Sequence, residues 1–185
     1  MAPGWTFVVS TALYARELLG EPLESRHYAF NDLITCTLSS AGFPVTKELS
    51  GLFRSDGKWP DGLTLVPWSN GKALCWDVTV TCPLADSYIN AAARESGVAA
   101  EIAASRKEQK YADLDGRYRY IFEPIAIDTL GILNTSARQL LCDLGRKISE
   151  HTGEVRETSF LFQRCSVLVQ RFNAILLHDR QFTCL

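Results

Sequence analysis

Two aspartates sixteen positions apart, Asp61 and Asp77, have the type and setting to do chemistry. Asp61 follows Pro60 and precedes Gly62. Asp77 interrupts the β-rich run Leu74 to Thr81, where Leu74, Trp76, Val78 and Val80 alternate with Cys75, Asp77, Thr79 and Thr81. One face of that strand is apolar; the other carries an acid and two hydroxyls. Two ionised carboxylates in one half-buried cleft repel, and one tends to protonate unless a counter-ion intervenes. A hard divalent cation such as Mg2+ or Mn2+ removes the conflict. It takes one or two carboxylates and completes its shell with water and phosphate oxygens. Such an ion lowers the pKa of bound water and offsets charge developing on a phosphodiester, and a nearby lysine stabilises the transition state.

Whether the acids meet depends on the hairpin between them. Ser69-Asn70-Gly71 separates two β-rich runs. A three-residue loop, with Gly71 in the left-handed position, sets Trp68 opposite Lys72. Asp77 then faces Leu63 and Asp61 faces Thr79, which makes the acids diagonal neighbours ~7–8 Å apart at Cα. A two-residue loop would shift the pairing by one and send the acids to opposite faces.

Plainer readings exist for each residue. Pro60-Asp61-Gly62 also fits an ordinary turn. A strand-interior acid such as Asp77 needs a partner, and an arginine of the following helix would serve. Arg106, Lys107, Lys110, Arg117 and Arg119 form a basic cluster within fourteen residues, either a polyanion contact or a solvated helix face. Net charge is −2, so a nucleic acid would have to be met by such a local patch.

The elements that must position these groups follow from periodicity. A helix is predicted over 24–39, closed by Gly42, then strands over 43–49, around 61–68 and over 72–81. Residues 85–114 read as helix with a break at Ser96-Gly97 and a stop at Gly116, and 118–127 as strand. Helices follow over 135–150, ended by Gly153, and 156–178. The order is α-β-β-β-α-β-α-α, in one α/β domain over 24–185, behind a poorly ordered leader of residues 1–23. The chain has 185 residues, 46% hydrophobic and 22% charged, and no apolar run approaches the ~20 residues of a membrane span. The apolar stretch Trp5 to Leu13 has no basic residue before it, which argues against a signal peptide. Six cysteines without a CxxC pair or a His at ligand spacing disfavour a zinc site and a disulfide framework. They point to a reducing compartment, nucleus or cytoplasm.

A Pro-Asp followed by an acid in a hydrophobic strand, on an αβββαβ order, resembles the PD-(D/E)xK nuclease superfamily. The motifs Arg26-His27, Asn31-Asp32, Pro60-Asp61-Gly62, Trp76 to Val80 and Lys110 to Leu114 resemble something narrower. They look like the C-terminal segment of non-LTR retrotransposon reverse-transcriptase-like proteins, with Arg156 to Arg164 and Gln170 to Asn173 extending the likeness. The resemblance implies a restriction-endonuclease-like core with two extra C-terminal helices, and Asp61 and Asp77 as ligands of Mg2+ or Mn2+. It also implies nicking of target DNA so that the exposed 3′ end primes reverse transcription. Thr79 stands where the superfamily's lysine would be. The retrotransposon branch carries that lysine on the following helix in a K-x-x-K-Y context, which matches Lys107 and Lys110, with Lys110 the favoured of the two.

On the same resemblance, DNA or an RNA–DNA hybrid is the partner, contacted by Arg106, Lys107, Lys110 and Arg117. Asp32 is a candidate outer-shell acid, whereas His27 reads as a helix-capping or positioning residue. The reverse-transcriptase motifs and the Cys/His knuckle usual upstream are absent, so the chain reads as a detached C-terminal piece. Two other uses stay open: an inactive nucleic-acid-binding remnant, and an interaction module that dimerises through the apolar helix of 156–178.

Overall fold

The computed structural model describes residues 20–47, 59–118 and 120–182, with side chains described over 25–47, 59–112, 120–175 and at 177. The leader expected over 1–23 lies outside these residues up to position 19. From Gly20 the chain is already helical. Nine elements follow: α1 (Gly20–Ser40), β1 (Val45–Lys47), β2 (Gly62–Thr64), β3 (Ala73–Thr81), α2 (Ile89–Ala92), α3 (Val98–Tyr118), β4 (Tyr120–Asp128), α4 (Thr135–Thr152) and α5 (Glu157–Phe182). This is an α/β fold whose mixed sheet runs β1-β2-β3-β4, antiparallel except for the parallel β3–β4 pair joined through α3.

Local chemistry explains the boundaries. Gly42 adopts φ 83°, and the two amides after α1 turn back onto it, Gly42 to Ser39 O (3.1 Å) and Phe43 to Leu38 O (3.0 Å). That is a Schellman closure, which satisfies carbonyls the helix end leaves orphaned. Gly153 at φ 77° ends α4 in a similar way. Gly97 (φ 82°) divides α2 from α3, as its neighbours suggest, but Gly116 does not stop α3, which runs on to Tyr118. A mid-helix glycine is tolerated where tertiary packing outweighs its entropic cost.

The sheet separates two cores. Leu74, Trp76 and Val78 of β3 join Ile125 and Ile127 of β4 beneath α1, α4 and α5, with Phe30, Ile34, Leu38, Leu141, Leu144 and Leu161 all buried there. On the other face α3 lies over β3 and β4. Ala100, Ala103 and Ala104 bring it close to Ala126, and Tyr111 packs on Cys75. Residues 100, 103, 104, 107 and 111 recur at helical spacing, so the stripe of α3 that faces the sheet includes Lys107. Asn134 covers the outer edge of β4: its Oδ1 accepts from Ala126 N (2.9 Å) and its Nδ2 donates to Pro124 O (3.2 Å).

The hairpin corrects the expected register. Its loop has two residues, Asn70 (φ 51°) and Gly71 (φ 73°), closed by the Ser69↔Lys72 bridge, in place of the three-residue loop expected. Two consecutive left-handed residues match the twist of a tight hairpin. The ladder then breaks, and it resumes with Leu63 opposite Cys75. Six steps along one chain, from 63 to 69, thus oppose three along the other, from 72 to 75. The three extra residues offset the one-residue slip that a two-residue loop would impose. Leu63 therefore faces Cys75 where Asp77 was expected.

Gly62 shows how tightly β2 is set on β3. A Cβ there would fall within the indole ring of Trp76, a fully buried side chain whose Nε1 donates to Asn31 Oδ1 (2.9 Å). Gly62→Ala is expected to lower stability by about 1–3 kcal/mol, the usual cost of overpacking, measurable as a reduced urea midpoint.

Candidate functional site

Asp61 stands just before β2, one residue off its register. Its amide donates to Trp76 O (2.9 Å), the residue that Gly62 already faces. Such a bulge re-aims a side chain at a strand end. Here the carboxylate turns along the edge of β3, and Oδ2 accepts the Val78 amide at 2.6 Å. β2 ends at this point, so the Asp61 side chain substitutes for the missing strand. The same Oδ2 meets His27 Nε2 of α1 at 2.8 Å.

Asp77, 4% exposed, points to the other face, toward α3. Its Oδ1 lies 2.5 Å from Lys107 Nζ, but no donor meets that oxygen with hydrogen-bonding geometry. Oδ2 accepts from Tyr111 Oη (2.9 Å), which also lies 3.2 Å from Trp59 O and takes a hydrogen bond from Lys110 Nζ at 2.7 Å. Helices from opposite faces of the sheet thus converge where β2 stops, α1 contributing His27 and α3 contributing Lys107 and Tyr111.

The electrostatics follow from this crowding. Burial raises the Asp77 carboxyl above its ordinary value, and the neighbouring charge of Asp61 raises it further, against the opposing pull of Lys107. The hydrogen bond to Asp61 raises His27, with the charges of Asp61 and Asp77 adding to it against its desolvation. Cys75, beneath the acids, is pushed up to about 12, first by burial and then by Asp77 and Asp61. It is an inert thiol at neutral pH. Cys36, Cys75, Cys82, Cys142 and Cys165 are all unbridged.

The residues singled out from sequence separate into two groups. Asp61, Asp77 and Lys107 share this site, and the bland partner expected for Asp77 is a lysine, not an arginine. Lys107, not the favoured Lys110, touches the acid; Lys110 reaches it only through Tyr111, over whose ring its ammonium sits 4.4 Å from the centroid. Arg106 points elsewhere, to Tyr88 (3.0 Å to Oη). Asp32 pairs with Lys47 on the surface, and no contact joins it to the two acids among the described residues. The side chain of Arg117 lies outside the described residues. Sequence reasoning undervalued His27, whose position on α1 gave no hint that Asp61 would reach it, and missed Tyr111 as a donor to Asp77. The signal for Tyr111 was its spacing, four residues beyond Lys107 on one helical stripe.

No protein-family model matches the chain, and no curated protein matches it either. Function therefore rests on the site itself. Among the described residues no three His, Cys, Asp or Glu side chains gather around one point, so an all-protein metal cage is not on offer. Two carboxylates suit a magnesium-like ion that keeps most of its water. Each has an oxygen to give: Asp61 Oδ1 makes no hydrogen bond among the described residues, and Asp77 Oδ1 meets only the Lys107 ammonium.

Both titrations weaken the fold in the same direction as pH rises. For His27 the stabilising contact with Asp61 is fully present below the unfolded value of 6.5 and fades as pH rises through the raised folded value. For Asp77 the cost of a buried charge is absent below the unfolded value of 3.8, grows as pH rises from there and is complete once the pH has passed the raised folded value. Stability is expected to fall as pH climbs above 6.5, and His27→Asn to flatten that fall, read as urea midpoints across pH 6 to 9.

Proposed function

We propose that this protein hydrolyses phosphodiesters with a divalent metal ion, as a DNA-nicking endonuclease of the restriction-endonuclease-like type and of retrotransposon origin. The observation that carries this reading is a pair of carboxylates, Asp61 and Asp77, gathered at one sheet edge with the Lys107 ammonium 2.5 Å from one of them. An αβββ arrangement followed by a helix and a further strand surrounds them, the order that the PD-(D/E)xK resemblance implies.

Asp61 and Asp77 would hold Mg2+ or Mn2+, which supplies an activated water and a counter-charge to the phosphate. The chain's own groups do the rest. Asp61 is anchored by the Val78 amide and His27, so its free oxygen is held in place before any ion arrives. Tyr111 fixes Asp77 by its other oxygen. Lys107, paired with Asp77 and part-exposed, is the residue we assign to the role of the superfamily's strand lysine, since position 79 is a threonine. On leaving Asp77 for the phosphate, it would stabilise the charge that builds on the non-bridging oxygens. Lys110, Arg106 and Arg117 belong to the same helix, and we assign them to the flanking backbone of DNA or an RNA–DNA hybrid. A nuclear or cytoplasmic setting accords with the reading. Among the described residues no helix is long and apolar enough to cross a membrane.

Purified protein with Mg2+ or Mn2+ is expected to nick supercoiled plasmid, and EDTA to stop it. Asp61→Asn and Asp77→Asn should abolish nicking, and Lys107→Ala should slow it by about 100- to 1000-fold, the usual loss when a transition-state charge donor is removed. Asp77→Asn should remain folded, because it removes a charge that burial disfavours. Intact plasmid at every protein and metal concentration, together with binding that weakens steeply with salt, would identify an inactive nucleic-acid-binding remnant instead.

A further inference from the structure

Away from the two acids, α1 and α5 enclose an open groove of about 800 Å³. Arg26 of α1 lies over the Phe172 ring of α5, and the groove runs from there to Glu157 on α5 and Cys36 on α1. The two helices are therefore antiparallel, and Asp32 falls beside the middle of the α5 stripe. That stripe reads Glu157, Phe160, Arg164, Leu168 and Arg171, with steps of three and four, and Val167 (66% exposed) lies beside Leu168. Three- and four-residue steps keep one face of a helix along its length, the pattern of a paired helix.

Its charges are arranged symmetrically about Arg164. Glu157 and Arg171 stand seven positions to either side, about 21 Å apart along the axis. Phe160 and Leu168 stand four positions to either side. None of Glu157, Arg164 and Arg171 has an ion-pair partner among the described residues. A twofold axis through Arg164 would match Glu157 with Arg171 and Phe160 with Leu168, and would leave the two Arg164 guanidinium groups facing each other with Asp32 as the groove acid beside them.

We infer that the α1–α5 groove is the interface of a homodimer in which two copies of α5 cross antiparallel about Arg164. Glu157 of one copy meets Arg171 of the other, twice over. Phe160 packs on Leu168 of the second copy. The two Arg164 side chains meet near the axis, where each is within the span of Asp32 of the opposite copy. Asp32 is 62% exposed even while paired with Lys47, so it keeps an oxygen for this contact. The inference does not depend on the hydrolytic reading, since none of these residues belongs to the acid site.

The test is mass by light scattering on the full chain across about 1–100 µM, a range that brackets ordinary dimer affinities. Wild type is expected to weigh twice its 20.6 kDa at the upper end. Val167→Glu, at a position solvent-exposed in the single chain, should give a monomer with unchanged helical circular dichroism. Arg171→Glu should weaken association about tenfold or more, and Glu157→Arg added to it should restore most of the loss. A monomer at every concentration overturns the proposal. A dimer indifferent to Val167→Glu and to both charge variants overturns this interface.

Discussion

Where β2 leaves β3, the Val78 amide loses its strand partner and the Asp61 carboxylate takes the vacated position at 2.6 Å. A charge-assisted bond to a backbone amide is stronger than a neutral one and leaves the acceptor little freedom. Its consequence is geometric. The side chain of Asp61 becomes part of the strand that also carries Asp77, so the separation of the two acids is set by β3 and no longer by the flexibility of the turn before β2. His27, bonded to the same oxygen, presses the carboxylate from the α1 side. The acids are then obliged to share one neighbourhood, and Asp77 is raised first by its burial and further by the charge of Asp61.

The rest of the fold serves to keep that crowding bearable. A buried carboxylate beside another demands positive charge, and β3 itself offers threonine at 79 and 81. The cation comes instead from α3, and it arrives because alanines at 100, 103 and 104 let the helix settle against Ala126. Larger residues there would lift α3 from the sheet and draw Lys107 away from Asp77. Tyr111, one turn farther along, fills the space over Cys75 and spends its hydroxyl on the second oxygen of Asp77. Packing and electrostatics are thus settled by a single helical stripe. An Ala-rich run that looks like mere helix propensity is what sets the distance between a lysine and an acid.

This also explains what could be read in advance. The β3 alternation of apolar and polar residues was legible, because its period is two and both faces are buried in distinct cores. The helix closures at Gly42 and Gly153 were legible from glycine chemistry. The hairpin was not. Asn70-Gly71 announces a turn, but loop length and an interruption of the ladder are both invisible locally, and each shifts the register by an odd number of residues. Two odd shifts sum to an even one, yet the bulge turns Asp61 toward His27 of α1 while Asp77 points to α3, so the acids do not share the one face expected of them. His27 was unreadable for a different reason. Its partner is thirty-four residues away, and the contact exists only because of the bulge at Asp61. Lys107 and Lys110 share a helical stripe, and only the tilt of α3 decides between them.

The division of labour between the two faces of the sheet carries one more implication. The larger core, under α1, α4 and α5, holds the bulk of the buried aliphatic side chains, while the α3 face fully buries only alanines, Tyr111 and Cys75, with Trp59, Leu63, Tyr120 and Phe122 packed partly buried against them. A face with fewer fully buried apolar side chains contributes less to stability than the core opposite. It can therefore accommodate charged groups and the movement of a lysine without threatening the fold, whereas the same groups placed under α5 would disrupt the main source of stability. The acids sit on the seam between the two, where β2 ends. Asp61 is anchored from the α1 side of the sheet, and Asp77 opens toward the face that can yield. On the hydrolytic reading proposed above, a site that holds two like charges and is to release one ammonium is well placed on such a boundary, with Asp61 anchored on one side and the Asp77–Lys107 pair on the other.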